Sequence, residues 1–248
     1  MSSDILSSFQ LDKDLETSKI IVAKEINGCD SSFFISCVLG HCVKNKNAVF
    51  VISTHNSQQH YHNVGLKMNY NLQKAIEAGQ IHFYDAGEEL VNSALENKCQ
   101  TAEELWLNIK EPLLQMYNKF NAVNVIFDGV SHLFDMQFSM IQVNEIYKKL
   151  IDLIRSFNNS YLIFQCNVAS DDDFTYVLAN LLAHKADILA EVESLSSGLS
   201  ADVSGHLTIK YLGSKFESEN MNNFETKSSQ YLFKLFDRGV KLLAPGTV

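Results

Sequence analysis

The chain has 248 residues, 46% hydrophobic and 20% charged, with a formal net charge of −9. This composition describes an ordinary globular protein and excludes a basic, free-standing nucleic-acid binder, which needs clustered Lys and Arg to displace counter-ions from a phosphate backbone. Only Arg155 and Arg238 are arginines and no basic cluster exceeds Lys148–Lys149, so any work on RNA or DNA would draw most of its positive charge from other chains.

The five cysteines, Cys29, Cys37, Cys42, Cys99 and Cys166, are odd in number and contain no C-x-x-C pair, which argues against a disulfide framework and against structural zinc. Cys37, Cys42 and Cys166 sit in apolar segments and read as small core residues. Two prolines and 11 glycines provide no linker, so the expected organisation is an N-terminal arm over 1–18 and one domain over 19–248. The arm is polar or a short helix. It lacks the basic start and apolar stretch of a secretory signal, and no apolar run approaches the ~20 residues that cross a bilayer. A soluble intracellular protein with no membrane partner is expected.

The stretch from Lys19 to Phe34, KIIVAKEINGCDSSFF, reads as a buried strand over Ile20–Ala23, a tight turn at Gly28 and a helix from about Ser31. A phosphate-binding loop has this layout, with backbone N–H groups, a lysine and a Ser/Thr hydroxyl around the phosphate in the pattern G-x-x-x-x-G-K-[ST]. Here only Gly28 is a glycine. Cys29 and Asp30 precede Ser31 and Ser32, so the lysine is missing and a carboxylate that repels phosphate stands before the hydroxyls. The architecture of a phosphate loop is expected without its nucleotide chemistry, and no cofactor is expected.

An alternation of helix and strand follows. Phe33–Val43 is helical and Ala48–Ser53 is an apolar strand of the kind covered on both faces. Asn56–Met68 reads as a helix weakened by Gly65, by about 1 kcal/mol relative to alanine. Ile81–Tyr84 is a third strand. Thr101–Phe120 is a helix with a capping box from Thr101 and Glu104, which Pro112 should kink or split. Val123–Phe127 is a fourth strand closed by Asp128, the position where an aspartate organises magnesium in phosphate-loop enzymes. Without a nucleotide to share the ion, Asp128 reads better as a strand-end carboxylate. Ser139–Phe157 is an amphipathic helix capped by Ser139 and Gln142. Tyr161–Cys166 is a fifth strand, Asp171–His184 a helix opened by Asp171, Asp172 and Asp173, and Ile188–Val192 a sixth strand. Leu199–Gly205 is a turn-rich connection. His206–Leu212 and Tyr231–Phe236 read as late antiparallel strands, joined by a polar loop over Ser214–Ser229. The expected fold is α/β, a mostly parallel central sheet flanked by helices.

Other constellations carry less. His55, His60 and His62 invite a metal, but the helical spacing of His60 and His62 turns them apart. Ser131–His132 lacks the strand–turn–helix elbow of a hydrolase nucleophile. Arg238 could serve as an interface arginine reaching a neighbouring subunit's nucleotide, or as a structural ion-pair partner.

The segments KEINGCDSSFFISCVLGHCVKN, AVFVISTHNSQQHYHNVGLKM and QIHFYDA resemble the family of the sixth Elongator subunit, including its Ser/Gln-x-x-His-Tyr stretch at Ser57, Gln58, Gln59, His60 and Tyr61. The closing YLFKLFDRGVKLLAPG is similar to the family's last strand, with Asp237, Arg238, Gly239 and Val240. The resemblance covers nearly the whole chain and is thin between about Leu90 and Thr101. It implies a RecA-like fold with degenerate nucleotide-binding motifs and no catalysis of its own. It also implies assembly with the fourth and fifth Elongator subunits into a hetero-hexameric ring within the larger complex. That ring would bind tRNA and support modification of the wobble uridine, in the cytoplasm and with a nuclear pool compatible with the family's link to transcription elongation. The competing reading is a divergent P-loop ATPase.

Overall fold

The computed structural model describes residues 2–11, 17–98, 100–170, 172–195, 202–212 and 227–243. Its frame is a sheet in which nine strands are described: β1 (Lys19–Ile26), β2 (Val49–Ser53), β3 (Ile81–Asp85), β4 (Asn124–Asp128), β5 (Tyr161–Val168), β6 (Ile188–Glu193), β7 (Gly205–Tyr211), β8 (Lys227–Phe236) and β9 (Gly239–Leu243). They lie in the order β3-β2-β4-β5-β1-β6-β7-β8-β9. The first six are mutually parallel and the last three extend the sheet antiparallel.

Strands β2 and β4 are buried at every residue, as unbroken apolar runs such as VFVIS should be when helices cover both faces. One face carries α1 (Ser2–Ser8), α2 (Ser32–Asn45), α3 (Gln58–Lys67) and α4 (Leu72–Glu77), packed on Ile21, Val51, Ile126 and Ile163. The other carries α5 (Ala86–Leu95), α6 (Ala102–Phe120), α7 (Met140–Arg155) and α8 (Phe174–Ala183), packed on Val22, Phe50, Phe127 and Phe164. Successive strand residues point to opposite faces, so one run of apolar residues supplies both cores.

Local signals account for most helix ends. Thr101 with Glu104 and Ser139 with Gln142 form the expected capping boxes on α6 and α7. Ser57 caps α3 by accepting the N–H of His60, and Asp173 caps α8 by accepting that of Thr175. Asp173 alone makes this bond to the helix start, while Asp171 lies outside the described residues. Pro112 does not split α6, which runs unbroken over 19 residues.

The N-terminal stretch is a helix whose apolar residues belong to the core: Ile5, Leu6, Phe9 and Leu11 are buried, and Phe9 stacks on Phe34 with centroids 4.2 Å apart. Gly65 lies inside α3, where a Cβ would stand 2.6 Å from the Tyr70 ring, and one on Gly40 of α2 would stand 2.9 Å from it. The two glycines thus make the slot that Tyr70 fills. Among the described elements, four were not expected from sequence: α4, α5, the 3-10 turn Val130–Leu133 and β9, the last lying beyond the strand taken as final. The polar loop expected at Ser214–Ser229 is shorter at its end, because Lys227–Ser229 already pair in β8; residues 213–226 and 196–201 lie outside the described residues.

Candidate functional site

In open parallel sheets, ligands gather at the carboxyl ends of the strands, where the direction of chain winding reverses. Here that place lies around the ends of β1, β5 and β4. The chain leaves β1 toward β2 on one side and leaves β5 toward β6 on the other.

The turn after β1 is tight. Asn27 and Gly28 both have positive φ, at 56° and 70°, and a Cβ on Gly28 would meet nothing within 4 Å. Gly28 therefore serves the backbone turn, whose positive φ it adopts without strain. The N–H groups of Ser31 and Ser32, where α2 begins, are already taken. Ser31 N–H donates to Oε1 of Glu25 at 2.6 Å, and Ser32 N–H donates to Oδ1 of Asp30 at 2.7 Å. Ser32 Oγ donates to the second oxygen of Asp30 at 2.9 Å. Gln165 of β5 also donates its side-chain amide to Glu25 Oε1. Carboxylates of the chain itself thus sit where an anion would be held at a helix N-terminus.

Burial pushes the carboxyl of Glu25 up from its ordinary 4.5, while the bonds from Ser31 and Gln165 pull it back. Burial and the neighbouring carboxylates of Glu25 and Asp30 push the Cys29 thiol up to about 11. Lys24, the lysine nearest the turn in sequence, is engaged away from it. Its ammonium reaches Asn180 of α8 at 2.8 Å, and burial lowers its pKa. The residues present do not fit a phosphate: although Ser31 Oγ has no hydrogen-bond partner, the Ser31 and Ser32 N–H groups are engaged, the local charge is negative and the Lys24 ammonium points elsewhere.

Asp128 closes β4 as expected, and β5 lies between β4 and β1, so two strand spacings of roughly 5 Å each separate it from the turn. Its carboxylate is fully buried. Oδ2 accepts from Tyr61 Oη at 2.8 Å, Ser53 Oγ at 3.0 Å and Asn56 N–H at 3.2 Å, whereas Oδ1 has no hydrogen-bond partner. Burial raises its pKa above 3.8, against the opposing pull of Tyr61, Ser53, His55 and the Asn56 N–H. This geometry ties the start of α3 to the sheet and leaves the carboxylate closed to solvent.

The remaining candidates are dispersed. His55 stacks on His132 with centroids 4.6 Å apart, while His60 and His62 lie along α3. Ser131 Oγ accepts the N–H of Asn167 at 3.0 Å and His132 bonds Asp135 at 3.0 Å, so serine and histidine are engaged separately. Among the described residues no three His, Cys, Asp or Glu side chains are grouped to hold a metal ion, and no helix is long and apolar enough to cross a membrane. Arg238 is exposed in the turn between β8 and β9, beside Leu66, Lys67 and Asn69. Sequence reasoning missed Glu25, Gln165 and Tyr61 as site residues. A glutamate inside the apolar run KIIVAKEI was the available signal, because a charge buried in a strand needs partners.

The geometry agrees with comparison to known proteins. The profile of the family described as Elongation complex protein 6 matches residues 4–237. Elongator complex protein 6 of Drosophila melanogaster is 28% identical over 255 residues, covering 100% of this chain and 98% of its own. Its counterpart in Danio rerio is 20% identical, covering 88% and 87%. Among solved structures, a KaiC-like protein from the hyperthermophilic archaeon Pyrococcus horikoshii OT3 superposes with a TM-score of 0.62 at 8% identity, over 90% of this chain and 88% of that one, which supports a RecA-like fold. With a doubly covered parallel sheet, a turn closed by its own carboxylates and a profile match across nearly its full length, the chain belongs to the Elongation complex protein 6 family.

Proposed function

We propose that the chain is a non-catalytic, RecA-like subunit that joins the fourth and fifth Elongator subunits in a hetero-hexameric ring, and that the ring binds tRNA and serves wobble-uridine modification. One observation carries the non-catalytic part of this reading: the N–H groups of Ser31 and Ser32 bond to Glu25 and Asp30, with aspartate where a phosphate loop needs lysine. A domain without its nucleotide site acts through surfaces, and head-to-tail surfaces close into rings when the rotation permits. An acidic chain with two arginines suits a ring component better than an isolated tRNA binder. Arg238, exposed at a hairpin tip, is the candidate to reach a neighbouring subunit's nucleotide. The working location is the cytoplasm, with a nuclear pool.

Two measurements test this. The full chain is co-expressed with the fourth and fifth subunits, and the intact assembly is weighed by native mass spectrometry; two copies of each subunit are expected, and a monomer would refute the ring. Separately, the melting of the isolated chain is followed with and without ATP. A ligand at one hundred times its Kd stabilises by about 2.7 kcal/mol. No shift is expected at such a concentration for a micromolar site, and a clear shift lost in Asp128→Ala would favour a divergent P-loop ATPase.

A further inference from the structure

Helix α8 has the sequence FTYVLANLLA and is apolar around nearly its whole circumference. A helix of that kind belongs in an interior. Leu178, Ala179 and Leu182 meet this expectation and are buried against the sheet. The opposite side does not: Phe174 is 70% exposed, Val177 46% and Leu181 37%, and Tyr176 is 37% exposed beside them. The spacings of three and four put Phe174, Val177 and Leu181 on one stripe. Phe134, whose ring lies 6.2 Å from that of Phe174, extends the stripe beyond the helix. The uncovered apolar area is on the order of 300 Å², comparable with the largest apolar patch of a typical monomer, and such patches are often functional. Helix α7 shows the contrast within the same layer, with six apolar residues buried on one face and polar residues around most of the other.

The charges around the stripe select its occupant. Asp172 is exposed just before α8, Asp135 is exposed next in sequence to Phe134 and is paired with His132 at 3.0 Å, and Lys185 follows the other end of the helix. Acidic groups repel a nucleic-acid backbone and an anionic bilayer alike. Aliphatic and aromatic surface calls instead for apolar protein surface, with a lysine or arginine opposite Asp135 and Asp172. We infer that the outer stripe of α8, centred on Phe174, Val177 and Leu181, is a docking face for a partner protein subunit that presents an apolar patch with a basic rim. This rests on the ring reading above and assigns one of its contact faces.

The test uses the full chain co-expressed with the fourth and fifth Elongator subunits. The wild type is compared with the double variant Phe174→Asp/Leu181→Asp and with the charge reversal Asp135→Lys/Asp172→Lys. Melting of each isolated chain establishes that it folds, which is expected because the altered side chains face solvent. The double variant should recover at least tenfold less partner. The charge reversal should weaken recovery at low salt and approach the wild type as salt screens the contact. Folded variants that recover partners as fully as a wild type that assembles would overturn the α8 assignment and leave the ring reading standing. A wild type that recovers neither subunit would overturn both.

Discussion

Tyr61 and Asp128, 67 positions apart, are joined by a hydrogen bond of 2.8 Å at the carboxyl end of the sheet. The tyrosine is itself fully buried. Tyr61→Phe should therefore cost stability and not activity. Removing a partner from a buried polar group costs about 1–3 kcal/mol. Denaturant unfolding should show a lower midpoint with an unchanged slope, and partner assembly of the folded fraction should be retained.

Glu25 supplies a second test. Glu25→Gln keeps an acceptor for the Ser31 N–H, whereas Glu25→Ala leaves that N–H and the Gln165 amide without it. The alanine variant should lose about 1–3 kcal/mol and the glutamine variant distinctly less. Equal losses would mean that the carboxylate does not organise the turn.

The same carboxylates set a pH dependence. Burial raises the pKa of both Glu25 and Asp128 in the folded chain, so the folded state holds their protons to higher pH than the unfolded state does. Their contribution favours the fold below the unfolded values and is lost as pH rises through the interval immediately above 4.5 for Glu25 and 3.8 for Asp128. Other carboxylates titrate in the same range, so the comparison is with Glu25→Gln/Asp128→Asn. That variant should lose less stability across the interval than the wild type; parallel curves would refute the coupling.

Gly65→Ala should destabilise, although alanine is the better helix former by about 1 kcal/mol. The added methyl would lie 2.6 Å from the Tyr70 ring, and overpacking a tight site costs about 1–3 kcal/mol. A thermal midpoint at or above that of the wild type would show that Tyr70 moves aside freely.

Arg238→Ala should lower the ATPase rate of the assembled ring by at least tenfold while leaving the isolated chain's melting unchanged. Arginines that complete a neighbour's site contribute 10³–10⁵, which leaves ample margin for detection. An unchanged rate in the intact assembly would remove Arg238 from this role.

The parallel strands were legible because each is a short apolar run, and the two capping boxes announced α6 and α7 three residues ahead. Helix α5 was missed because AGEELVNSAL buries only Ala86 and Leu90, too few for a periodic signal. The docked N-terminus was missed because serines interrupt Ile5, Leu6 and Phe9. In the candidate site, the strand-end position of Asp128 could be read directly. The bond network could not, since Glu25 meets Gln165 only through the parallel pairing of β1 with β5, a contact 140 positions long.

Helix α1 and strand β9 share one corner, where Ile5, Phe9, Phe34 and Val240 close a common cluster. Tyr211 seals it by bonding the carbonyl of Ser8, 203 positions away. Such a corner cannot mature early, because closing so long a loop yields little until the antiparallel strands have paired. A nascent or nicked chain would therefore keep Phe9 and Phe34 uncovered longest, and chaperone engagement should concentrate there.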